Sequence, residues 1–188
     1  MPDAFLHEVL LSGSRNWLIR RHTVNKMLCV MQKYTDRNNL VGKLGEIYVA
    51  DNIIHQLQDK GLRWSSKTEP LTYRIRYQYR GCRGRSRGGI DEYLVLRDEE
   101  RRAHRCFIEI SNWMRLRNCN DYIFHKRIQS KFEKYDPDNM MYHVLAMNYR
   151  NLPLIVDRCQ EHNIHIIPLR EHITPEFVHR LIKENAIV

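Results

Sequence analysis

Two apolar runs decide the fold of this chain: residues 90–96, with the sequence IDEYLVL, and residues 105–110, with the sequence RCFIEI. The charged stretch between them, residues 97–102, has the composition of a turn, so we predict a hairpin of antiparallel strands. Each run carries an acidic residue: Asp91 opens the first, and Glu109 interrupts the second. A carboxylate inside an apolar strand is costly unless it is paired, protonated or bound to a cation. Asp91 and Glu109 are therefore the first candidates for a functional site.

The sequence after the hairpin predicts alternating helices and strands. Apolar periodicity and proline positions predict a helix, a strand, a helix, a strand and a last helix, over residues 121–135, 141–147, 152–162, 164–168 and from Thr174-Pro175 onwards. A strand–helix–strand unit this short favours a right-handed crossover, so we predict that the two strands of this unit are parallel.

The sequence before the hairpin predicts mainly helix. Apolar residues recur with a helical period over residues 16–34 and 39–58, and strict alternation over residues 71–79 predicts one more strand. The expected fold class is α/β, with a mixed central sheet flanked by helices. We expect residues 1–38 to form a helical N-terminal extension and residues 39–188 to form one compact domain.

The composition limits the class of protein and points to its partner. Apolar residues make up 43% of the 188 residues, which excludes wholesale disorder, and no apolar run approaches the roughly 18 residues that span a bilayer. The five cysteines are widely spaced, so we expect thiols in a reducing cytoplasm and no membrane association. Lys and Arg number 31 against 22 Asp and Glu, giving a net charge of +9 that favours a polyanionic partner, with nucleic acid first.

The positive charge is concentrated just before the hairpin. Residues 74–87 contain no acidic residue but hold six arginines, and two more arginines follow Ser111; the eight are Arg74, Arg76, Arg80, Arg83, Arg85, Arg87, Arg115 and Arg117. Arginine binds phosphate in a bidentate manner, and interspersed glycines let the backbone approach it closely. We predict that these arginines bind nucleic acid beside Asp91. An RGG-like RNA-binding segment and a solvated charged surface are the alternatives.

The two acidic residues also predict the kind of cation. Paired strands would bring Asp91 and Glu109 close together at one end of the sheet, and a divalent cation is the usual relief for two adjacent carboxylates. Oxygen ligands without histidine or cysteine suit Mg²⁺ or Mn²⁺ rather than zinc.

This pattern resembles the core of the PD-(D/E)xK, or restriction-endonuclease-like, nuclease superfamily. The resemblance covers roughly residues 40–170, and it rests on Asp91 opening a strand, a hairpin, the sequence IEIS at residues 108–111 and the order of elements. It is nearest in pattern to the archaeal Holliday-junction-resolvase-like nucleases, in which a helix glutamate joins the site. Glu46, in the sequence GKLGE at residues 42–46, matches that glutamate.

The resemblance implies a metal-dependent DNA endonuclease that hydrolyses phosphodiester bonds, with branched or structured DNA as the expected substrate and Mg²⁺ or Mn²⁺ as cofactor. Asp91 and Glu109 match the two metal-binding carboxylates, the backbone carbonyl of Ile110 is an expected metal contact, and Glu46 matches the additional acid. A homodimer is expected, because two symmetry-related sites can cut two strands.

The last motif position departs from the family. Ser111 stands where the family has a lysine, and a serine hydroxyl can hold a water molecule but supplies no positive charge. Lys126 and Lys131 on the next predicted helix are candidate replacements, and Gln129 resembles a glutamine that some branches place beside the site. The sequence therefore leaves two alternatives open: an active endonuclease that uses Ser111 and Lys126 or Lys131, or a catalytically inactive protein that binds DNA or RNA on the same scaffold.

Overall fold

A computed structural model describes residue 11 and residues 19–54, 91–97, 102–112 and 119–187. The predicted strand over residues 71–79 and all eight arginines of the predicted nucleic-acid surface lie outside these residues. Along the part of the chain that is described, no helix is long and apolar enough to cross a membrane.

The strands form a mixed sheet in the order β1-β2-β3-β4, where β1 is Glu92–Arg97, β2 is Ala103–Ser111, β3 is Tyr142–Asn148 and β4 is Ile164–Leu169. Strand β1 is antiparallel to β2, with Glu92 opposite Ile108, whereas β2, β3 and β4 are mutually parallel. The predicted antiparallel pairing of the first two strands and the predicted parallel pairing of the last two are confirmed, whereas residues 98–101 of the predicted turn lie outside the described residues. Strand β3 is buried along its whole length, as expected for a strand inside a parallel sheet.

The helices flank this sheet. They are α1 (Arg21–Lys33), α2 (Arg37–Ile47, continued by a π-helical segment at Tyr48–Ile54), α3 (residues 121–135), α4 (Leu152–Glu161) and α5 (Pro175–Lys183). Helix α3 consists of an α-helical turn at Asp121–Phe124, a π-helical segment at His125–Gln129 and an α-helical part at Ser130–Tyr135.

Side-chain caps explain where three of these helices begin. The Asp36 carboxylate accepts the backbone N–H of Asn39 at the start of α2, and the Asn120 side chain accepts that of Ile123 at the start of α3. Thr174 caps α5 in the same way, with Pro175 at the first helical position as predicted.

Two apolar clusters hold these elements together. The first joins β2, β3 and β4 to helices α3 and α4 through Phe107, Phe124, Phe132, Leu145, Met147, Ile155 and Ile164. The second joins α1, α2 and α5 through Val24, Met27, Leu40, Leu44, Phe177 and Leu181. Helix α1, which belongs to the predicted N-terminal extension, thus shares its apolar contacts with the last helix, and Ile19 pairs with Ile187 in a parallel bridge.

Candidate active site at the end of strand β2

Strand β2 buries one carboxylate in its apolar sequence. Glu109 is 2% exposed, and its Oε1 accepts a hydrogen bond from the Lys131 ammonium of helix α3. The second oxygen, Oε2, is buried without a hydrogen-bond partner among the described residues. A buried carboxylate oxygen without a donor is costly, and it marks a place where a ligand would lower the free energy.

Asp91 lies beside Glu109, as we expected from the predicted pairing of their strands. It directly precedes β1, and its Oδ2 accepts the backbone N–H of Ile110 over 2.8 Å. The register explains this contact. Because Glu92 is opposite Ile108 in an antiparallel pair, Asp91 is level with Glu109, and its side chain reaches the adjacent amide of Ile110. The backbone of Ile110, which the resemblance assigns to the metal site, thus fixes the orientation of the Asp91 carboxylate.

Helix α2 supplies the third predicted acid. Glu46 accepts a 2.5 Å hydrogen bond from Lys43 one turn earlier on the same helix. Its neighbour Gly45 allows α2 to approach the end of β2: a Cβ at Gly45 would lie 2.5 Å from the Cβ of Asn112. The close approach of helix and strand therefore requires glycine next to Glu46.

Asn112 connects three segments around this end of the sheet. Its Nδ2 donates to the carbonyls of Val41 in α2 (2.8 Å) and Ile173 before α5 (2.7 Å), and its Oδ1 accepts the N–H of Ile173. Because Asn112 is 5% exposed, these bonds fix α2 against the strand from inside the fold. We did not predict this residue from the sequence. Its partners are 61 and 71 residues away in the chain, so local periodicity carries no signal for it.

Lys131 forms a charged cluster with Glu109, Asp91 and Glu46. Burial lowers the pKa of the Lys131 ammonium, while the carboxylates of Asp91 and Glu46 act in the opposite direction and raise it. Glu109 thus contacts the Lys131 ammonium directly, whereas Asp91 and Glu46 act on it only electrostatically. Of the two lysines considered as replacements for the missing motif lysine, Lys131 is the one that contacts Glu109.

The other candidates on α3 lie elsewhere. Lys126 is exposed, with its ammonium 3.4 Å from the Tyr122 hydroxyl and 5.5 Å from the centroid of the Tyr122 ring. Gln129 donates to Glu133 over 2.6 Å on its own helix.

Ser111 lies at the end of β2 and is 3% exposed. It is on the same face of the sheet as Glu109, because side chains two positions apart in a strand point to the same side.

The described residues supply part of the oxygen coordination shell that a hard divalent cation needs. Among the described residues, no three side chains of the His, Cys, Asp or Glu types form a ready metal-binding group. The chain does offer the unpartnered Oε2 of Glu109, the nearby carboxylate of Asp91 and main-chain carbonyl oxygens. Mg²⁺ is commonly held by one or two carboxylates, with water and substrate phosphates completing its shell. The donor set therefore fits Mg²⁺ or Mn²⁺ bound together with a phosphate substrate.

Comparisons with models of protein families, with curated proteins and with solved structures gave no match for this chain. The case for a function consequently depends on the residues and geometry of the chain itself.

A second buried carboxylate lies at the end of α3. Asp136 accepts the backbone N–H groups of Met140 (2.9 Å) and Met141 (2.8 Å), and its Oδ2 lies 2.7 Å from Nε2 of His143 on β3. The His143 ring stacks on Phe132 with a centroid distance of 4.6 Å. Asp136 and His143 line a cavity of about 200 Å³. We did not predict either residue as functional from the sequence.

Proposed function

We propose that this chain is a metal-dependent endonuclease of the restriction-endonuclease-like type, acting on the phosphodiester bonds of DNA. The observation that carries the proposal is the buried carboxylate of Glu109, which Lys131 contacts at one oxygen and which has no partner at the other among the described residues, while Asp91 is bonded to the amide of the next residue, Ile110. A buried carboxylate with an oxygen left for a ligand, beside a second acid, is costly unless the site performs a task.

Each residue has a role that follows from its position. Glu109 and Asp91 hold the divalent cation, Glu109 through the oxygen for which the described residues provide no other partner and Asp91 in the orientation fixed by the Ile110 amide. Glu46, which is partly exposed, orients a water molecule near the scissile phosphate. When bound, Mg²⁺ or Mn²⁺ polarises the phosphate and lowers the pKa of its water.

Lys131 supplies the positive charge that Ser111 lacks. Its ammonium contacts Glu109, and it reaches the cluster from helix α3 instead of from the motif position on β2. A cation at this place can stabilise the extra negative charge that develops on a phosphoryl group in the transition state. The migration of this charge from strand to helix accounts for serine at the motif position without loss of the reaction.

The overall charge supports DNA as the substrate. With 31 basic residues and a net charge of +9, the chain binds polyanions, and the arginines of residues 74–87 precede Asp91 directly. Branched or structured DNA as substrate, a cytoplasmic location and a homodimeric assembly complete the proposal, because a second site is needed to cut a second strand.

The decisive experiment is cleavage of linear, nicked and four-way DNA by the purified chain with Mg²⁺ or Mn²⁺. We expect metal-dependent cleavage that falls by about a thousandfold in Asp91→Asn and in Glu109→Gln, since metal coordination contributes several kcal/mol to the transition state. Both variants should retain salt-sensitive DNA binding, measured by fluorescence anisotropy.

One control variant makes the result specific. Asp157→Asn replaces an acid on helix α4, outside the cluster, and should cleave at the wild-type rate. Full cleavage by Asp91→Asn and Glu109→Gln would contradict the site assignment. DNA or RNA binding without cleavage under any metal would favour the alternative of an inactive nucleic-acid-binding protein, and cleavage of RNA alone would replace DNA as the substrate.

A further inference from the structure

The contact between Lys131 and Glu109 joins a charge that is held in place to a charge that can move. The Lys131 ammonium contacts Oε1 of Glu109, whereas Lys43 pairs with Glu46. The Glu109 side chain is 2% exposed and fixed inside the sheet, whereas Lys131 is 27% exposed at the end of a flexible four-carbon chain.

From this arrangement, and on the basis of the function proposed above, we propose that the Lys131 ammonium is a displaceable counter-cation. It neutralises Glu109 in the metal-free protein, and it leaves Glu109 when a divalent cation binds there.

The geometry gives two reasons for displacement. A divalent cation bound by Glu109 and Asp91 would be close to an ammonium that touches the same carboxylate, and two positive charges at such a distance repel strongly in a partly buried site. Lys131 is the partner with access to solvent, so it is the one that moves. The Glu109 Oε2, which has no partner in the described part of the chain, offers the incoming cation a first contact before the lysine has left.

The exchange has two measurable consequences. The lysine stabilises the metal-free fold, because it neutralises the buried carboxylate of Glu109. It also weakens metal binding, because each cation must take the place of a charge that is already bound. A site of this kind discriminates against monovalent cations, which bring no more charge than the ammonium they would replace.

The first test uses the wild-type chain and requires no variant. The rate at which an amine-selective acetylating reagent modifies Lys131 is measured by mass spectrometry during a titration with Mn²⁺. We expect the rate to increase at least severalfold as Mn²⁺ binds, with binding followed independently by electron paramagnetic resonance of free Mn²⁺. Lys134, exposed three residues later on the same helix, is the internal control and should react at a constant rate. A constant or lower rate at Lys131 with Mn²⁺ bound would overturn the exchange.

The second test compares Lys131→Met with Lys134→Met, which removes the same charge from the same helix. We expect Lys131→Met to bind Mn²⁺ about tenfold more tightly, because one repelling charge is gone. Its melting temperature without metal should be lower than that of Lys134→Met, and Mn²⁺ should close this gap.

The outcomes separate the two proposals. Equal or weaker Mn²⁺ binding by Lys131→Met, while the wild-type chain cleaves DNA, overturns the exchange and leaves the nuclease proposal in place. Absence of Mn²⁺ binding in all variants, with no cleavage, overturns both.

Discussion

Two buried carboxylates on the same helix–sheet layer differ in how completely they are satisfied. Asp136 accepts two backbone N–H groups and contacts His143, so both of its oxygens are bonded. Glu109 has one oxygen bonded to Lys131 and one that has no donor among the residues the structure describes. The two residues are similarly buried, at 8% and 2% exposure, so burial alone does not separate them.

This difference separates an acid that stabilises the fold from an acid that can still bind a ligand. A carboxylate whose lone pairs are all occupied stabilises the fold and has little left to offer a ligand, whereas an incompletely satisfied one keeps a cost that a ligand can remove. Asp136 therefore organises the turn between α3 and β3, while Glu109 keeps an oxygen for a cation. Five single substitutions test this distinction.

The largest effect should come from removing the satisfied carboxylate. Asp136→Ala leaves the amides of Met140 and Met141 and the buried ring of His143 without their acceptor, so we expect a loss of about 3 kcal/mol in the free energy of unfolding. Glu109→Ala should lose less, because Lys131 keeps the carboxylates of Asp91 and Glu46 and some contact with water. Urea unfolding of the two variants measures the difference.

DNA cleavage should rank the same two variants in the opposite order. The folded fraction of Asp136→Ala should cleave at the wild-type rate, and that of Glu109→Ala should be inactive. If Glu109→Ala proves to be the less stable variant and the two cleave alike, the distinction between a structural and a functional acid fails.

The next effect concerns the position of Glu46 relative to Glu109. In Gly45→Ala the new Cβ would overlap that of Asn112, so α2 must move away from β2, and we expect a loss of about 2 kcal/mol together with reduced cleavage. Gly42→Ala is the matched control on the same helix. A Cβ at Gly42 meets nothing within 4 Å, so this variant should gain roughly 0.5–1 kcal/mol from helix propensity and cleave normally. Equal stabilities for the two variants would show that the close approach at Asn112 is unimportant.

Local patterns in the sequence predicted most elements and three members of the cluster. The strands over residues 90–96 and 105–110 were expected within two residues of β1 and β2, because alternation and turn composition are local properties. Asp91 and Glu109 were identified because an acid in an apolar strand is unusual, and Glu46 through the resemblance. Their convergence on one ammonium depends on tertiary packing, which the sequence indicates only through the order of the elements.

The sequence left other features undetermined for physical reasons. It could not choose between Lys126 and Lys131, because the π-helical segment at His125–Gln129 changes the rotation of the helix between them and periodicity assumes a regular helix. Asn112 and the contact between Asp136 and His143 depend on which segments meet in the folded chain. Each of these residues has an ordinary local context for a loop or a strand end.

The smallest effect is a pH dependence that belongs to Asp136 alone. Burial acts to raise the pKa of the Asp136 carboxyl, but the N–H groups of Met140 and Met141 and the contact with His143 outweigh it, so the pKa lies below its ordinary value. A lowered pKa means that the ionised carboxylate stabilises the fold. This contribution is complete above the ordinary aspartate pKa of about 3.9 and is lost as the pH falls through the lowered value.

Asp136→Asn has no such charge, so the stability difference between wild type and variant should be constant from pH 7 to about pH 5 and shrink below about pH 4. Urea unfolding at a series of pH values measures it, and a difference that grows toward acid pH would mean that Asp136 gains nothing from being ionised, which would remove the contrast with Glu109.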